Sequence, residues 1–179
     1  MKDPIVQVGD PVLKETALPV PKKDIGSRSL TTLINKMKKV LDAEEYGVAI
    51  AAPQLGIPLR LFVVAGRVYK KDDEPKGAPE EPARVYINPV ITRLSKKKRE
   101  MAEGCLSVRG QYGTVVRHEK ATIDALDEEG KPIHTHASGL LAHIFQHEVD
   151  HLSGVLFVDK AISIEPWDDH KAKGELEHV

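Results

Sequence analysis

Two histidines and a glutamate, His147, Glu148 and His151, stand close together in the sequence. On a helix, residues four apart project from one face, so the two imidazoles could bind one metal ion with the glutamate beside them. The same His-Glu-x-x-His pattern also arises by chance on solvated helix faces. Apolar residues at helical spacing in the same segment, Leu140 and Ile144, argue against a solvated face. The sequence therefore predicts a buried site lined with histidine.

The one cysteine of the chain, Cys105, is a further candidate ligand. A catalytic metal site needs at least one protein ligand beyond two imidazoles and keeps another position open for water. A lone cysteine is more often a small buried apolar residue, so the residues alone leave both interpretations open. With a single cysteine, an internal disulfide is not possible.

The composition of the chain is that of an ordinary globular protein. It has 179 residues, 41% of them hydrophobic and 30% charged, and its net charge is −1. This length suits one domain, and the charge gives no general attraction to nucleic acid or to an anionic membrane. No apolar run approaches the roughly 18 residues of a membrane span. The N-terminal residues resemble neither a secretory signal nor a transit peptide. We therefore expect a cytoplasmic protein without a membrane or direct nucleic-acid partner.

Two helices and a series of strands would position these residues. Apolar spacing predicts a scaffold helix over 29–45 and the histidine-bearing helix from about Ser138 to Gly154. Runs of apolar residues between turn signals predict strands over 59–65, 84–91, 113–118, 121–126, 132–137 and 155–158. The predicted fold class is α+β. It is one domain over residues 1–179, with antiparallel or mixed sheets packed around the central helix that carries His-Glu-x-x-His.

Three other stretches allow two interpretations each. Residues 47–56 are mostly small, with Gln54 as the single polar side chain, which suits a tight turn as well as a ligand-binding loop. The basic run 96–99 could contact RNA, but an edge strand or turn is favoured because no aromatic residues accompany it. His134 and His136 share one face of a predicted strand, where they are either ligands or simply exposed.

Three segments of the chain together carry a resemblance to one enzyme family. They read Gly-Val-Ala-Ile-Ala-Ala-Pro-Gln at 47–54, Glu-Gly-Cys-Leu-Ser at 103–107 and Gln-His-Glu-Val-Asp-His at 146–151. In order and spacing they are similar to the Gly-x-Gly-x-Ala-Ala-x-Gln, Glu-Gly-Cys-Leu-Ser and Gln-His-Glu-x-Asp-His motifs of peptide deformylases. The resemblance covers nearly the whole chain. It implies a metal-dependent hydrolase that removes the formyl group from the formyl-methionine of newly made polypeptides and releases formate.

The resemblance implies a role for each residue of the site. The implied metal ligands are Cys105, His147 and His151. They would hold one divalent ion, Fe(II) in the cell as in the family, and ligand type also admits Zn(II), Ni(II) and Co(II). Glu148 would take a proton from the attacking water and later give it to the leaving nitrogen. The Gln54 side-chain amide and the Leu106 backbone N–H would stabilise the oxyanion.

The implied substrate is a nascent peptide that begins with formyl-methionine, whose side chain needs an apolar slot. Leu140, His143 and Ile144 are on the metal-bearing side of the predicted helix and are candidates to line that slot. Val48 and Ala49 would pair with the peptide as an added strand. Together with two motif glycines, the candidate substrate-binding residues are Gly47, Val48, Ala49, Gly104, Leu140, His143 and Ile144.

Two acidic residues near the motifs are expected to support the metal ligands. Glu103 is expected to pair with Arg117 and to brace the cysteine turn, as the equivalent acid does in the family. Asp150 either hydrogen-bonds an imidazole through its free N–H or is a simple acid on the helix surface.

The chain departs from the family pattern in two motifs and in its tail. Ala49 stands where the second motif glycine is usual, so substrate fit would suffer if that position requires a positive φ. Arg109 stands where a proline is common. The loop 66–83 and the tail 165–179 are polar and expected to be solvated. Some family members dock on the ribosome near the exit tunnel with a basic C-terminal helix, which the acidic tail of this chain does not match.

Three rival functions use similar residues. A zinc endopeptidase has the same helix motif but takes its third ligand from further downstream, whereas Cys105 lies upstream. A peptide-binding relative that holds a metal but has little activity would need neither Glu148 nor Gln54. A purely structural metal site would have four protein ligands rather than three.

Overall fold

Helix α1 spans Arg28–Ala43 in the computed structural model, which describes residues 3–70 and 81–166. Ser27 is its N-cap, and the Ser27 side chain accepts a hydrogen bond from the backbone N–H of Leu30 at 3.3 Å. This bond satisfies one of the donors that the first turn of a helix leaves unpaired. The apolar face of α1 is buried, so α1 is the scaffold helix that the sequence predicts.

The described residues form eight strands in two sheets. The strands are β1 (Ala49–Ala51), β2 (Leu61–Val64), β3 (Arg84–Leu94), β4 (Lys98–Gly104), β5 (Gln111–His118), β6 (Lys120–Leu126), β7 (Pro132–Ser138) and β8 (Ser163–Pro166). One sheet has the order β1-β2-β3-β6-β7 and the other has the order β4-β5-β8. The strands pair antiparallel in both sheets, which confirms the predicted α+β class.

Alternation of side chains in the five-stranded sheet separates two apolar cores. On one face, Ile50 and Val63 join the apolar residues of α1 in a buried cluster. On the other face, Phe62 packs against Phe145 of helix α2 (Gly139–His151), with their ring centroids 6.2 Å apart. The sheet therefore lies between the two helices, and aromatic packing fixes the position of α2 against it.

The three-stranded sheet brings the cysteine segment to α2. Cys105 follows directly after the last residue of β4, and β4 pairs with β5 in a register that sets Glu103 opposite Gly113. Arg117 of β5 is buried, and β5 contacts α2. The turn after β4 is closed by a 2.9 Å hydrogen bond from the Val108 N–H to the Cys105 carbonyl.

The apolar run 155–158 does not form the strand that the sequence predicts. It leads into a 3-10 helix, Phe157–Asp159, and Leu156 and Phe157 are both buried in a third apolar cluster. Short apolar runs do not distinguish a strand from another buried segment, and these residues are apolar because they fill a core.

Strand β4 extends to Gly104, beyond the basic run at which the sequence predicts an edge strand or turn, and its mostly polar residues give no apolar pattern that would reveal this extension. It begins within the basic run 96–99 and lies at the edge of its sheet, which confirms the edge-strand interpretation of that run. The predicted loop 66–83 begins with a 3-10 helix, Gly66–Tyr69. The rest of that loop and the predicted tail fall partly outside the described residues. Within residues 3–70 and 81–166, no helix combines the length and apolar character needed to cross a bilayer.

Candidate metal centre

Three potential ligand atoms meet between α2 and the turn after β4. The Sγ atom of Cys105 lies 3.2 Å from Nε2 of His151, and this nitrogen lies 3.2 Å from Nε2 of His147. All the ligand atoms of the group lie within 4.8 Å of one another. Residues 46 positions apart in the chain therefore converge on a volume that could hold one ion.

The glutamate before the cysteine orients one of the two imidazoles. Oε1 of Glu103 lies 3.4 Å from Nδ1 of His147. A carboxylate can only accept a hydrogen bond, so this contact favours a proton on Nδ1 and turns Nε2 towards the candidate metal position. Burial opposes the charge of Glu103, but hydrogen bonds from His143, His147 and Arg117 hold the pKa of Glu103 far below its usual range.

A buried ion-pair network supports this glutamate. Arg117 donates to Oε1 of Glu103 from Nε at 2.9 Å and to Oε2 from Nη2 at 3.1 Å, so the pairing expected from the sequence is present. Arg117 also donates from Nη1 to Asp150 at 2.5 Å, and Lys160 donates to the same carboxylate at 2.7 Å. Asp150 therefore contacts two cations, and the sequence indicated neither of these contacts.

His143 lies one helical turn before His147. The sequence predicts that it lines the substrate pocket, and the structure gives its imidazole other neighbours. Its Nε2 lies 2.5 Å from Oε1 of Glu103, and its Nδ1 lies 2.9 Å from Sδ of Met101. The residue is buried, so both ring nitrogens of His143 are occupied by side chains of β4.

Glu148 and His151 contain buried polar atoms that other groups do not satisfy. Within the described part of the chain, Oε2 of Glu148 and Nδ1 of His151 have no hydrogen-bond partner. Glu148 is 3% exposed, and burial raises its pKa to about 7. Burial also lowers the pKa of His151 well below its usual value, which keeps this imidazole in the neutral form that a ligand requires. Such orphaned atoms in a buried cluster indicate a missing partner.

The pKa of His147 shifts in the direction opposite to that of His151. Burial opposes a charge on His147, but its hydrogen bonds to Cys105 and Glu103 outweigh burial and raise the pKa of His147 well above its usual value. A metal that binds here must displace a proton, as is general for imidazole and thiol ligands. One sulfur and two imidazole nitrogens are donors that suit divalent iron, zinc, nickel and cobalt, so the residues fit such an ion.

Gln54 lies against the cysteine. It is in a 3-10 helix, Ala52–Leu55, and its Oε1 accepts a hydrogen bond from the Ala51 N–H at 2.8 Å. This contact directs Nε2 towards Sγ of Cys105, at 3.6 Å, and Oγ of Ser107, at 3.2 Å. Ser107 is fully buried, and it is a site residue that was not predicted although it ends the second motif.

Strand β1 presents an outer edge of the five-stranded sheet next to this site. Ala49 pairs with Val64 of β2 on one side, and on the other side no strand formed by residues 3–70 or 81–166 pairs with it. Asn88 is the one described non-glycine residue with a positive φ, so Ala49 causes no backbone strain in β1. At Gly47 a Cβ would lie 2.9 Å from Cβ of Glu44, so a side chain does not fit there.

The remaining predicted residues flank the ligands. Leu106 follows Cys105, and its carbonyl accepts a hydrogen bond from Gln7 at 3.1 Å. Gly104 ends β4. Leu140, Ile144 and Val48 belong to the apolar cluster on the α2 side of the sheet, and Ile144 is buried.

One thiol, two imidazoles and a buried carboxyl group in an α+β fold are typical of a class of proteins, the metal-dependent hydrolases with a single ion. Comparison with known proteins narrows this class. The sequence model described as Polypeptide deformylase matches residues 2–167. The chain is 41% identical to a peptide deformylase of Halothermothrix orenii, over 89% of this chain and 94% of that protein. It is 42% identical to the chloroplastic peptide deformylase 1A of Solanum lycopersicum, where it spans 87% of this chain but 58% of that protein.

Solved structures agree with the sequence comparison. The Met-Ala-Ser-bound class I type b peptide deformylase from Acinetobacter baumannii superposes with a TM-score of 0.76 at 37% identity, covering 87% of this chain and 96% of that one. A peptide deformylase from Legionella pneumophila gives a TM-score of 0.74 at 40% identity, covering 97% of this chain and 92% of that one. The chain belongs to the polypeptide deformylase family and is a hydrolase of that class.

Proposed function

We propose that this protein removes the N-terminal formyl group from formyl-methionine of newly made polypeptides and releases formate. The observation that carries this proposal is the convergence of three ligand atoms within 4.8 Å beside a buried glutamate, in a chain that belongs to this family. One catalytic domain over residues 1–179 is part of the proposal. It is supported by the match over residues 2–167 and by the packing of α2 against strands from both halves of the chain.

Cys105, His147 and His151 would hold one divalent ion. We propose Fe(II) as the ion in the cell, and the donor set also suits Zn(II), Ni(II) and Co(II). When bound, such an ion supplies a water that is nucleophilic near neutral pH and polarises the formyl oxygen. The contact between Glu103 and Nδ1 of His147 supports this assignment, because it directs the other ring nitrogen towards the shared position.

Glu148 would move the proton of the reaction. Its pKa of about 7 allows the carboxyl group to accept a proton from water and to return it to the leaving nitrogen at neutral pH. The unsatisfied Oε2 atom is the site proposed for that proton.

Gln54 and Leu106 would stabilise the oxyanion on the formyl carbon. The Ala51 N–H holds the Gln54 side chain so that its amide nitrogen is on the side of Cys105. The Leu106 backbone N–H is next to the same ligand in the chain. Removal of one oxyanion donor costs about 10²- to 10³-fold in kcat in other hydrolases.

The peptide would bind as an added strand along β1. Gly47, Val48 and Ala49 lie at or just before the edge strand β1, and addition of a peptide to a sheet edge is a common mode of binding. The carbonyls of Gly47 and Val48 already accept hydrogen bonds within the chain, so Ala49 would supply the backbone groups that pair with the peptide. Gly104, which directly precedes Cys105 at the end of β4, would also contact the peptide, and Leu140 and Ile144 would surround the methionine side chain. The ring nitrogens of His143 contact Glu103 and Met101, so this residue would line the pocket only through its ring carbons.

The location and partners follow from this substrate. Formyl-methionine chains emerge from ribosomes, so we propose a cytoplasmic site of action and encounter with nascent peptides near the exit tunnel. A single cysteine in the ligand set suits a reducing compartment. Two plant relatives are named as organellar enzymes, so the compartment of this protein is tested by its location in its own cells.

Formate release provides the test. The purified protein, loaded without oxygen with Fe(II) and in parallel with Co(II), should release formate from formyl-Met-Ala-Ser and stop after addition of a chelator. The variant Glu148→Gln should keep its metal and lose about 10²- to 10⁴-fold in kcat. Cleavage of internal peptide bonds would indicate an endopeptidase, and peptide binding without formate release would indicate a binding protein. Either result would overturn the proposal.

A further inference from the structure

His143 and His147 approach the same atom of one carboxylate. Nε2 of His143 lies 2.5 Å from Oε1 of Glu103, whereas Nδ1 of His147 lies 3.4 Å from it. Both histidines are on α2, one turn apart, and the glutamate is on β4. The shorter contact is made by the residue that the proposed reaction does not use.

The glutamate is held from two sides. Arg117 of β5 binds both of its oxygens, so the plane of the carboxylate is fixed from the sheet. His143 binds Oε1 from the helix. The side chains of His143 and Glu103 are 6% and 3% exposed, so water does not compete effectively for these contacts.

The ring of His143 is itself fixed by β4 at both nitrogens. Met101 lies two residues before Glu103, on the same face of the strand, and its Sδ is 2.9 Å from Nδ1 of His143. The imidazole is therefore held between two side chains of one strand. This arrangement leaves it little freedom to rotate away from the glutamate.

The same contact links the two halves of the metal centre. Cys105 comes two residues after Glu103, at the end of β4, and His147 comes four residues after His143, on α2. A bond between Glu103 and His143 therefore sets the distance between the strand that delivers the thiol and the helix that delivers the imidazoles.

We infer that His143 is a positioning residue that holds Glu103 on His147 and keeps the cysteine and histidine ligands in register. The inference rests on the proposed ligand set of Cys105, His147 and His151. It does not require that the protein be a deformylase, because the effect on metal binding is separate from the effect on formate release.

Metal affinity of the folded protein gives the test. The variant His143→Leu fills the space without donating to Glu103, and it should weaken Co(II) binding by about 10- to 100-fold, as loss of an orienting partner does at other metal sites. His143→Gln can place an amide N–H near the former Nε2 and should recover most of the affinity. His143→Asn is too short to reach the carboxylate and should resemble the leucine variant. Affinity is measured by competition with a chromophoric chelator, and the Co(II) absorption spectrum reports the ligand geometry.

A matched control separates positioning from packing. Gln146 is also buried on α2, and it bonds to the backbone of His118 in β5 without touching Glu103. Gln146→Met should lower thermal stability but keep the Co(II) affinity within about twofold and the spectrum unchanged.

Wild-type affinity in the leucine or asparagine variant would overturn the inference, and so would an equal loss in Gln146→Met. If the leucine variant does not fold, the asparagine and glutamine variants decide: equal affinities in these two contradict the positioning role. Formate release by the wild type is measured separately, so the Co(II) affinities of the His143 variants can be interpreted even if the protein releases no formate.

Discussion

Two pairs of histidines in this molecule have the same distance between their imidazole rings but different surroundings. The ring centroids of His134 and His136 on β7 are 4.8 Å apart, and those of His147 and His151 on α2 are also 4.8 Å apart. The β7 pair is exposed and contacts Asp124 and Thr122, whereas the α2 pair is largely buried. Two imidazoles at metal-binding distance are therefore not enough to define the site.

Two features distinguish the α2 pair. Sγ of Cys105 comes within 3.2 Å of it, and Glu103 orients one of its rings from behind. Among residues 3–70 and 81–166, the group that includes Cys105 is the one that brings three ligand atoms together. The exposed interpretation of His134 and His136 in the sequence fits this result. A third ligand from a distant strand and a buried environment make the difference.

Removal of the third ligand should reduce the metal affinity of the α2 pair to that of the β7 pair. In Cys105→Ala, two imidazoles remain, and two ligands do not hold an ion against solvent as three do. We expect loss of stoichiometric metal binding and of all measurable formate release, the largest effect among these variants. Metal analysis after gel filtration and a formate assay check it. An alanine variant that retains one metal per chain with unchanged activity would contradict the ligand assignment.

The α2 pair also differs from the β7 pair in being largely buried, and the pKa of the neighbouring Glu148 is a measure of that burial. Its pKa is about 7 in the folded chain against an ordinary value near 4.5, so the folded state binds the proton more tightly than the unfolded state. In metal-free protein, the tighter binding of this proton contributes fully to the free energy of unfolding below about pH 4.5. It is lost as the pH rises through about 7. The loss amounts to roughly 3 kcal/mol.

Glu148→Gln removes that dependence, because an amide does not titrate. The metal-free variant should be more stable than the metal-free wild type at pH 8, by up to roughly 3 kcal/mol, and the difference should shrink towards pH 4. Urea unfolding of both proteins across this range measures it. Parallel stability curves for the two proteins would show that Glu148 is not held in a strongly desolvated position.

The β7 pair should give the smallest effect. In the double variant His134→Asn and His136→Asn, the exposed side chains lose contacts that are worth little, and stability should change by about 0.5 kcal/mol or less. Co(II) stoichiometry and formate release should equal those of the wild type. Loss of a second equivalent of metal in this variant would show that the surface pair is also a binding site.

The helices and the shared face of the two imidazoles could be predicted from the sequence because local patterns encode them, whereas Cys105 was expected as a third candidate ligand through the family resemblance. Ser27 and Ser138 mark the helix starts, and four-residue spacing places His147 and His151 on one face. The pairing of Glu103 with Arg117 was also expected, through the family resemblance, and is confirmed.

The contacts of His143 with Glu103 and Met101 could not be predicted, because they depend on β4. This strand has polar residues on both faces, so no apolar alternation reveals it, and without it the neighbours of Met101 and Glu103 are unknown. The contact of Asp150 with Lys160 likewise depends on tertiary packing that spacing in the sequence does not encode.

The long chain separation of the ligands has a consequence for folding. Cys105 and His151 are 46 residues apart, and the chain has no second cysteine with which to tie its strands covalently. An ion shared by these residues would act as a cross-link that closes a loop of this length. The chain-entropy estimate for such a cross-link is on the order of 4 kcal/mol. Loading the ion would therefore protect the protein from unfolding and proteolysis in addition to enabling its chemistry.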